Sequence, residues 1–241
     1  MQDVMLLRKT VLGILIAVAL ASSLLGVALS GWDWGALLLN AGTEMAGAVT
    51  TYILLEMVIG RREKHESEKA SLIAEKANLI ARMGSSVQDV ALAAAEELDR
   101  RGWLTDGSLR SARLREANLP KVNLWRADLH RADLTEAVLE NANLGEANLQ
   151  HARLGLANLQ SAYLAEADLR NAFLYSANLF DANLVDADLR GADLREAILY
   201  GAEFYGAKFD ETTILPDGTK WTPESDISQF TPYRPLLRRF A

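Results

Sequence analysis

Residues 166–190 read EADLR NAFLY SANLF DANLV DADLR, five blocks of five. In each block Ala stands two residues before Leu, and Asp, Asn or Phe173 stands between them. The same spacing runs without a gap from Leu109 to Phe209, twenty-one units in all. Ala fills the small position in nineteen of them, Gly107 and Val122 being the exceptions, and Leu fills the central position in nineteen, with Phe204 and Phe209 as the others.

A period of five suits neither regular element. Five residues of helix turn through about 500°, which would scatter the Leu positions around every side, and an odd period in a strand alternates faces. The solution is a chain that turns a corner once per unit and stacks on itself, burying Ala and Leu and sending three positions outward. A(D/N)LXX units in unbroken register, from Gly107-Ser108-Leu109 onward, resemble the pentapeptide repeat family. The resemblance implies an all-β, right-handed quadrilateral β-helix with four units per coil, so that residues twenty apart stack. At roughly 4.8 Å per coil such a rod is about 25 Å long.

Open coil ends expose unpaired backbone and apolar core, so covers are expected at both. After the break at Gly84-Ser85-Ser86, a helix over 87–101 carries Val90, Ala91, Ala94 and Leu98 on one face, with Ser85 or Ser86 as its cap and Gln88 or Asp89 three residues on. Beyond Phe209, Ile214 keeps the five-residue register one step further. A turn at Pro216-Asp217-Gly218 follows, and Trp221, Phe230, Tyr233, Leu236 and Leu237 supply apolar mass for the other end.

Upstream, Val11 to Leu29 holds nineteen consecutive uncharged residues, close to the 20 or so that cross a bilayer core. A cleavable signal peptide is the rival reading, since Arg8 and Lys9 precede the run and Ala19-Leu20-Ala21 matches a cleavage site. A second apolar run ends at Arg61-Arg62 and contains Glu44 and Glu56. Basic residues (Arg8, Lys9, Arg61, Arg62, Lys64) flank the pair, whereas the connection between the runs holds Asp33, Trp32 and Trp34. The positive-inside rule then gives a helical hairpin in the inner membrane, with both termini and the β-helix cytoplasmic. Asn40, Glu44, Gly47 and Thr51 share one stripe of the second run, a face for packing against another helix of a homo-oligomer or, alternatively, an ion or proton path.

The expected organisation is a transmembrane hairpin over 1–60 (spans about 11–30 and 35–60) and a charged helical connector over 61–86. The capping helix at 87–101, the β-helix at 102–214 and a C-terminal cap at 215–241 complete it. Leu72 with Leu79 and Ile73 with Ile80 repeat every seven residues in the connector, too few for a coiled coil to be asserted. This layout also resembles bacterial membrane-anchored members of the family.

Composition narrows the function. With 25 Lys and Arg against 32 Asp and Glu, the 241-residue chain carries −7, which does not suit binding to nucleic acid. There is no Cys and there are three His (His65, His130, His151), so thiolate chemistry is excluded and imidazole chemistry is scarce. His130 and His151 lie about one coil apart and can approach each other. No phosphate loop, G-x-S-x-G or H-E-x-x-H occurs, and no catalytic, cofactor-binding or metal residues are expected. The outward aromatics near the end of the rod, Tyr175, Phe180, Tyr200 and Tyr205, with Arg195, form the candidate interaction patch for a protein partner. Some family members mimic DNA and bind type II topoisomerases; here Arg110, Arg170 and Arg190 share one column and interrupt the negative stripe such mimicry needs.

Overall fold

The computed structural model describes residues 34–232 throughout and, before them, Thr10, Val11, Gly13, Ile14, Ala17 and Ala21. Apart from those isolated positions the expected first span lies outside the described residues, as do Tyr233, Leu236 and Leu237. The chain forms two compact units, Met1–Leu72 and Ile73–Ala241.

In the first unit, the chain from Trp34 is part of one helix, α1 (Trp34–Met83), which runs on to Met83 without a break at 60. Good helix formers and no Gly or Pro from Arg61 to Met83 explain the continuity. The exposed pairs Arg62–Glu66 and Lys64–Glu68 add a few tenths of a kcal/mol each at about the strength usual for i,i+4 pairs. Among the described residues no helix is long and apolar enough to cross a membrane. That corrects the expected span at 35–60: Asn40, Glu44, Thr50, Thr51 and Glu56 dilute its apolar residues.

The second unit is a four-sided stack. Backbone bridges are parallel and join residues twenty apart, from Arg113 with Asp133 through Asp188 with Lys208. Each Leu from Leu109 to Leu199 is buried, as is nearly every Ala beside it. Every corner takes the same form. The Ala117 N–H donates to the Leu114 carbonyl at 3.1 Å, and Glu116, between them, has φ 57°, which is the arrangement of a type II turn. Seventeen non-glycine residues hold such a left-handed conformation, each at a cost of about 1 kcal/mol or more. Stacking offsets it: the Glu116 N–H donates to the Thr135 carbonyl of the next coil at 2.9 Å, and Leu114 donates to Asp133 at 2.7 Å.

The preference for Asp or Asn before each Leu has a local cause. The Asp133 carboxylate accepts from the Thr135 N–H at 3.1 Å, and Asn148, Asn158, Asn178 and Asn183 accept likewise from the residue two further on. These are Asx turns that satisfy a corner N–H. Asn side chains also ladder between coils, Asn143 to Asn123 and Asn178 to Asn158, both at 3.0 Å.

Both ends are covered. α2 (Gln88–Arg100) buries Ala91, Ala94, Ala95 and Leu98 on the first coil, joined by Leu79 and Met83 from the end of α1. Ala95 takes the place expected of Val90, which stays exposed. The expected serine cap is not formed: Val87 is the N-cap residue and makes no side-chain cap bond, while Ser85 Oγ accepts from the Val87 N–H at 3.1 Å. Backbone at this end substitutes for a missing coil, the Ser85 and Leu104 carbonyls accepting from the Asn118 and Asp128 N–H groups at 2.9 Å. Gly84 permits the approach, since a Cβ there would stand 2.8 Å from the Arg113 carbonyl oxygen.

At the other end the register slips by one residue. Ile214 pairs with Asp193, twenty-one residues away, so Leu215 is the buried central residue and Thr213 fills the Ala slot. The expected continuation of register through Ile214 is thus corrected. Asp210 and Thr213 hold the extra residue by accepting from the Gly191 N–H at 3.0 and 3.2 Å, and the Thr213 hydroxyl donates to the Leu189 carbonyl. Ile214 then pairs antiparallel with Lys220, which stops the parallel stacking. Phe209 stacks on Trp221 with ring centroids 6.0 Å apart, and Ile227 and Phe230 of a short 3-10 helix pack against the core.

Candidate interaction surface

Every face of the rod presents one outward residue at its middle, the one before Leu, and two at the following corner. Stacking at twenty residues turns these into columns that the sequence alone defines. The Leu109 face is a ladder of charge. Arg170 and Arg190 each grip the Asp two residues before them through Nε and Nη2, at 2.9 and 2.7 Å to Asp168 and at 2.8 and 2.6 Å to Asp188. Hydrogen bonds from Arg190 hold the Asp188 carboxyl below its usual range, and on Asp168 the bonds from Arg170 and Gln150 outweigh an opposing effect of burial. These arginines are neutralised on the rod itself, so the column is alternating rather than basic or acidic.

His130 and His151 meet on this same face, edge to face with centroids 5.6 Å apart. Burial, then the charges of Arg110 and Arg131 and of His151 itself, lower the His130 pKa. Among the described residues no group of three or more His, Asp or Glu could hold a metal ion.

On the Leu124 face Trp125 and Tyr163 lie over Gly145, where a Cβ would come within 2.7 Å of the Tyr163 ring. Arg126 sits 4.1 Å above the Trp125 ring and bonds Glu146 at 2.8 Å. Trp125 is therefore engaged by its own neighbours.

The Leu114 and Leu119 faces differ. In the later coils Phe173 occupies the middle of the first and Ile198 the middle of the second, both exposed. Tyr175 stands at the corner between them, and Phe180 and Tyr200 share the next corner column. Leu156, exposed and left-handed at φ 60°, lies one coil before Ser176 in the corner column beside Tyr175. Six large apolar side chains thus gather on two adjacent faces. Of the residues singled out in the sequence, Tyr175, Phe180 and Tyr200 fall within this group. Arg195 borders it, but is held by Asp193 through Nε and Nη2 at 2.9 and 2.6 Å. Tyr205, 84% exposed, belongs to a corner beyond the Leu124 face and is not brought together with the others.

Sequence reading missed Phe173, Ile198 and Leu156. The signal was available: Phe173 and Ile198 stand where Asp or Asn normally makes the Asx turn, so each gives up a hydrogen bond and exposes apolar surface that the fold does not use. The rim of the group carries both signs of charge, Arg153 stacking directly beside Phe173. Glu196 accepts from Ser176 Oγ at 2.9 Å, and hydrogen bonding by the Tyr175 hydroxyl and then Ser176 lowers its pKa.

In the upstream helix the polar stripe is only partly described. Thr51 donates to the Gly47 carbonyl of its own helix at 2.9 Å, as Thr50 does to Ala46 at 2.8 Å. Helical backbone continues through Asn40 and Glu44, whose side chains lie outside the described residues.

A parallel stack of five-residue turns with an invariant core and a variable outside defines a repeat solenoid that displays side chains in columns. The chain belongs to the pentapeptide repeat family: the family model "Pentapeptide repeats (8 copies)" matches residues 108–145, 142–179 and 177–214. A pentapeptide repeat protein of Nostoc Pcc 7120 is 36% identical, over 40% of this chain and 79% of that one, with a TM-score of 0.35. A second, from the cyanobacterium Cyanothece 51142, is 35% identical over 42% of this chain, with a TM-score of 0.28; this chain spans 65% of its length. A thylakoid-lumen pentapeptide repeat protein of Arabidopsis thaliana is 24% identical over 48% of this chain and 73% of that one, with a TM-score of 0.34. No curated protein matches the chain.

Proposed function

We propose that this protein is a non-enzymatic scaffold whose β-helix docks a protein partner through the Leu114 and Leu119 faces of its later coils. One observation carries the reading: Leu156, Phe173, Tyr175, Phe180, Ile198 and Tyr200 are all exposed on two adjacent faces, at positions where the repeat itself asks for polar groups. Exposed apolar clusters of this kind mark recognition sites, and aromatic side chains supply most of the energy at such interfaces.

The uncharged run upstream of Trp34 attaches the scaffold to a membrane, in this reading the inner membrane of a bacterium with the rod on the cytoplasmic side. The uncharged run from Val11 to Leu29 and the basic residues that flank the apolar stretch at Arg8, Lys9, Arg61, Arg62 and Lys64 support it. Ile53, Leu54, Met57 and Val58 of α1 are exposed, and they offer an apolar surface on which copies associate.

The test is to extract the full chain in native-membrane nanodiscs, weigh the complexes and identify what co-purifies. A stoichiometric foreign protein, lost when Tyr175, Phe180 and Tyr200 are changed to Ser, is the expected result. A chain that stays in the aqueous phase, or a complex that survives those changes, would overturn the corresponding half of the proposal.

A further inference from the structure

The end of the stack that α2 covers is not closed all the way round. In the second coil the Val138, Glu140 and Asn143 carbonyls accept from the Leu119, Lys121 and Leu124 N–H groups at 2.8, 2.8 and 2.7 Å, and the Asn143 N–H donates to the Val122 carbonyl at 2.9 Å. The counterparts of these groups one coil earlier are the Asn118, Pro120 and Asn123 carbonyls and the Asn123 N–H. Those four main-chain groups have no hydrogen-bond partner among the described residues. Elsewhere on the same edge the chain supplies its own cover. The Asn118 N–H is taken by Ser85, and at Arg113 the backbone of Gly84 stands so near the carbonyl oxygen that no further strand fits between them.

The residues that carry the four groups line a groove of about 600 Å³, whose other wall is the flank of α2 that presents Leu92, Glu96 and Asp99. They run from the middle of the Leu119 face around its corner to the middle of the Leu124 face. Main-chain donors and acceptors in this order form the free edge of a parallel ladder, and throughout the rest of the stack the neighbouring coil satisfies them. The chemistry of an occupant follows: another extended main chain, running parallel to 118–123, offers N–H and C=O groups at the matching spacing. Leu92, Pro120 and Val138 give it apolar contact. Charge adds a preference, because Glu96, Asp99 and Glu140 line the groove against one cation, Lys121. Glu96 and Asp99 take part in no ion pair among the described residues, and Arg100 and Arg101 close by are held by Glu97.

We propose that this open edge binds a short, extended, basic segment of a partner protein, which adds a parallel strand beside 118–123 under the flank of α2. It is a second recognition site, separate from the apolar group on the later coils and independent of what that group binds.

Amide hydrogen exchange at single-residue resolution, on the full chain in detergent, tests it with the blocked peptide VTKVTKVT, whose β-branched residues favour an extended chain. Without peptide, the Asn123 amide is expected to exchange far faster than Asn143, its paired equivalent one coil on. The peptide is expected to slow Asn123 several-fold and leave Asn143 unchanged, and the same peptide with Glu in place of Lys is expected to do so much less. An Asn123 amide already as slow as Asn143 in the free chain overturns the proposal, since the edge would then be covered without a partner. No slowing at millimolar peptide also overturns it. Asn123→Pro removes the donor and should weaken capture of the chain by the immobilised peptide several-fold. In case that change disturbs the first coil, the variant E96K/D99K on the outer flank of α2 provides a second arm. It should reverse the preference between the two peptides, and an unchanged preference overturns the proposal.

Discussion

The repeat rod and the upstream helix spend similar apolar residues in opposite ways. In the rod, Leu114 through Leu194 are fully buried at every fifth position, and nothing outside the chain is needed to cover them. In α1, Val58 is 64% exposed and Leu54 58%, with Ile53 and Met57 comparable. Burial of such side chains is worth about 1.5–3 kcal/mol each, so the rod is complete by itself and the helix is not. The difference teaches where to look for function: in the rod at the few outward positions that break the repeat, in the helix at whatever environment covers it.

The contrast breaks most visibly in the rod. Leu144→Ala leaves a cavity in a stack that has no slack, and a loss of about 2–5 kcal/mol is expected. The thermal midpoint, read by circular dichroism, should fall by roughly 2–4 °C for each of those kcal/mol. The matching change in the helix, Val58→Lys, is expected to leave the midpoint of the rod within error. It should instead lower self-association, since it places a charge on the exposed apolar surface of α1 where copies are proposed to associate. Mass in nanodiscs reads the effect. A Val58→Lys chain that self-associates like the original would remove this helix surface from the proposal.

A smaller effect sharpens the account of the corners. Gly201 has φ 73° and an added Cβ would overlap the Asp181 carboxylate one coil before it, whereas Lys121, Asn141, Ser161 and Asp181 hold left-handed φ in the same column. Gly201→Ala is therefore expected to cost about 1–2 kcal/mol. Adding Asp181→Gly should return part of that loss, because it removes the overlap and leaves only the conformational cost. A double variant no more stable than Gly201→Ala would mean that backbone conformation alone sets the cost.

Much of this architecture could be read from the residues because the repeat is overdetermined. Ala and Leu fix the inside, Asp or Asn supports most of the corners through an Asx turn, and the period fixes the columns. Where one residue type serves two roles, reading fails. Ile214 is as apolar as a central residue should be, yet Asp210 and Thr213 accept the Gly191 N–H and shift the register, so Leu215 goes inside. Likewise the acids and threonines of 40–56 are compatible with either a membrane helix or the start of a long exposed one. The exposed apolar group was half legible: aromatic side chains at corners stand out in the sequence, whereas Ile198 and Phe173 at face middles are conspicuous only once the Asx turn is known to be common there.

The least effect concerns the charged face, and it separates that face from the apolar one by pH. His130 is partly buried, and burial together with Arg110, Arg131 and His151 lowers its pKa from the ordinary 6.5. The unfolded chain therefore takes up a proton at this site at higher pH than the folded one. Above about pH 7.5 both forms are neutral and His130 makes no difference to stability. As pH falls through 6.5 the unfolded state gains the proton first, stability declines, and the decline ends once pH has passed the lower folded value. The carboxylates held low by their arginines, such as Asp188 and Asp193, work in a separate window: their stabilisation is present above the ordinary Asp value of 3.8 and is lost only as pH drops through their lower folded values. His130→Gln should therefore flatten the fall of the urea-unfolding midpoint that begins as pH drops through 6.5 and leave the acid limb set by the carboxylates unchanged. An unaltered pH profile in the variant would show that the His130–His151 contact opens to solvent and that the charged face, like its arginines, is neutralised without any titrating group.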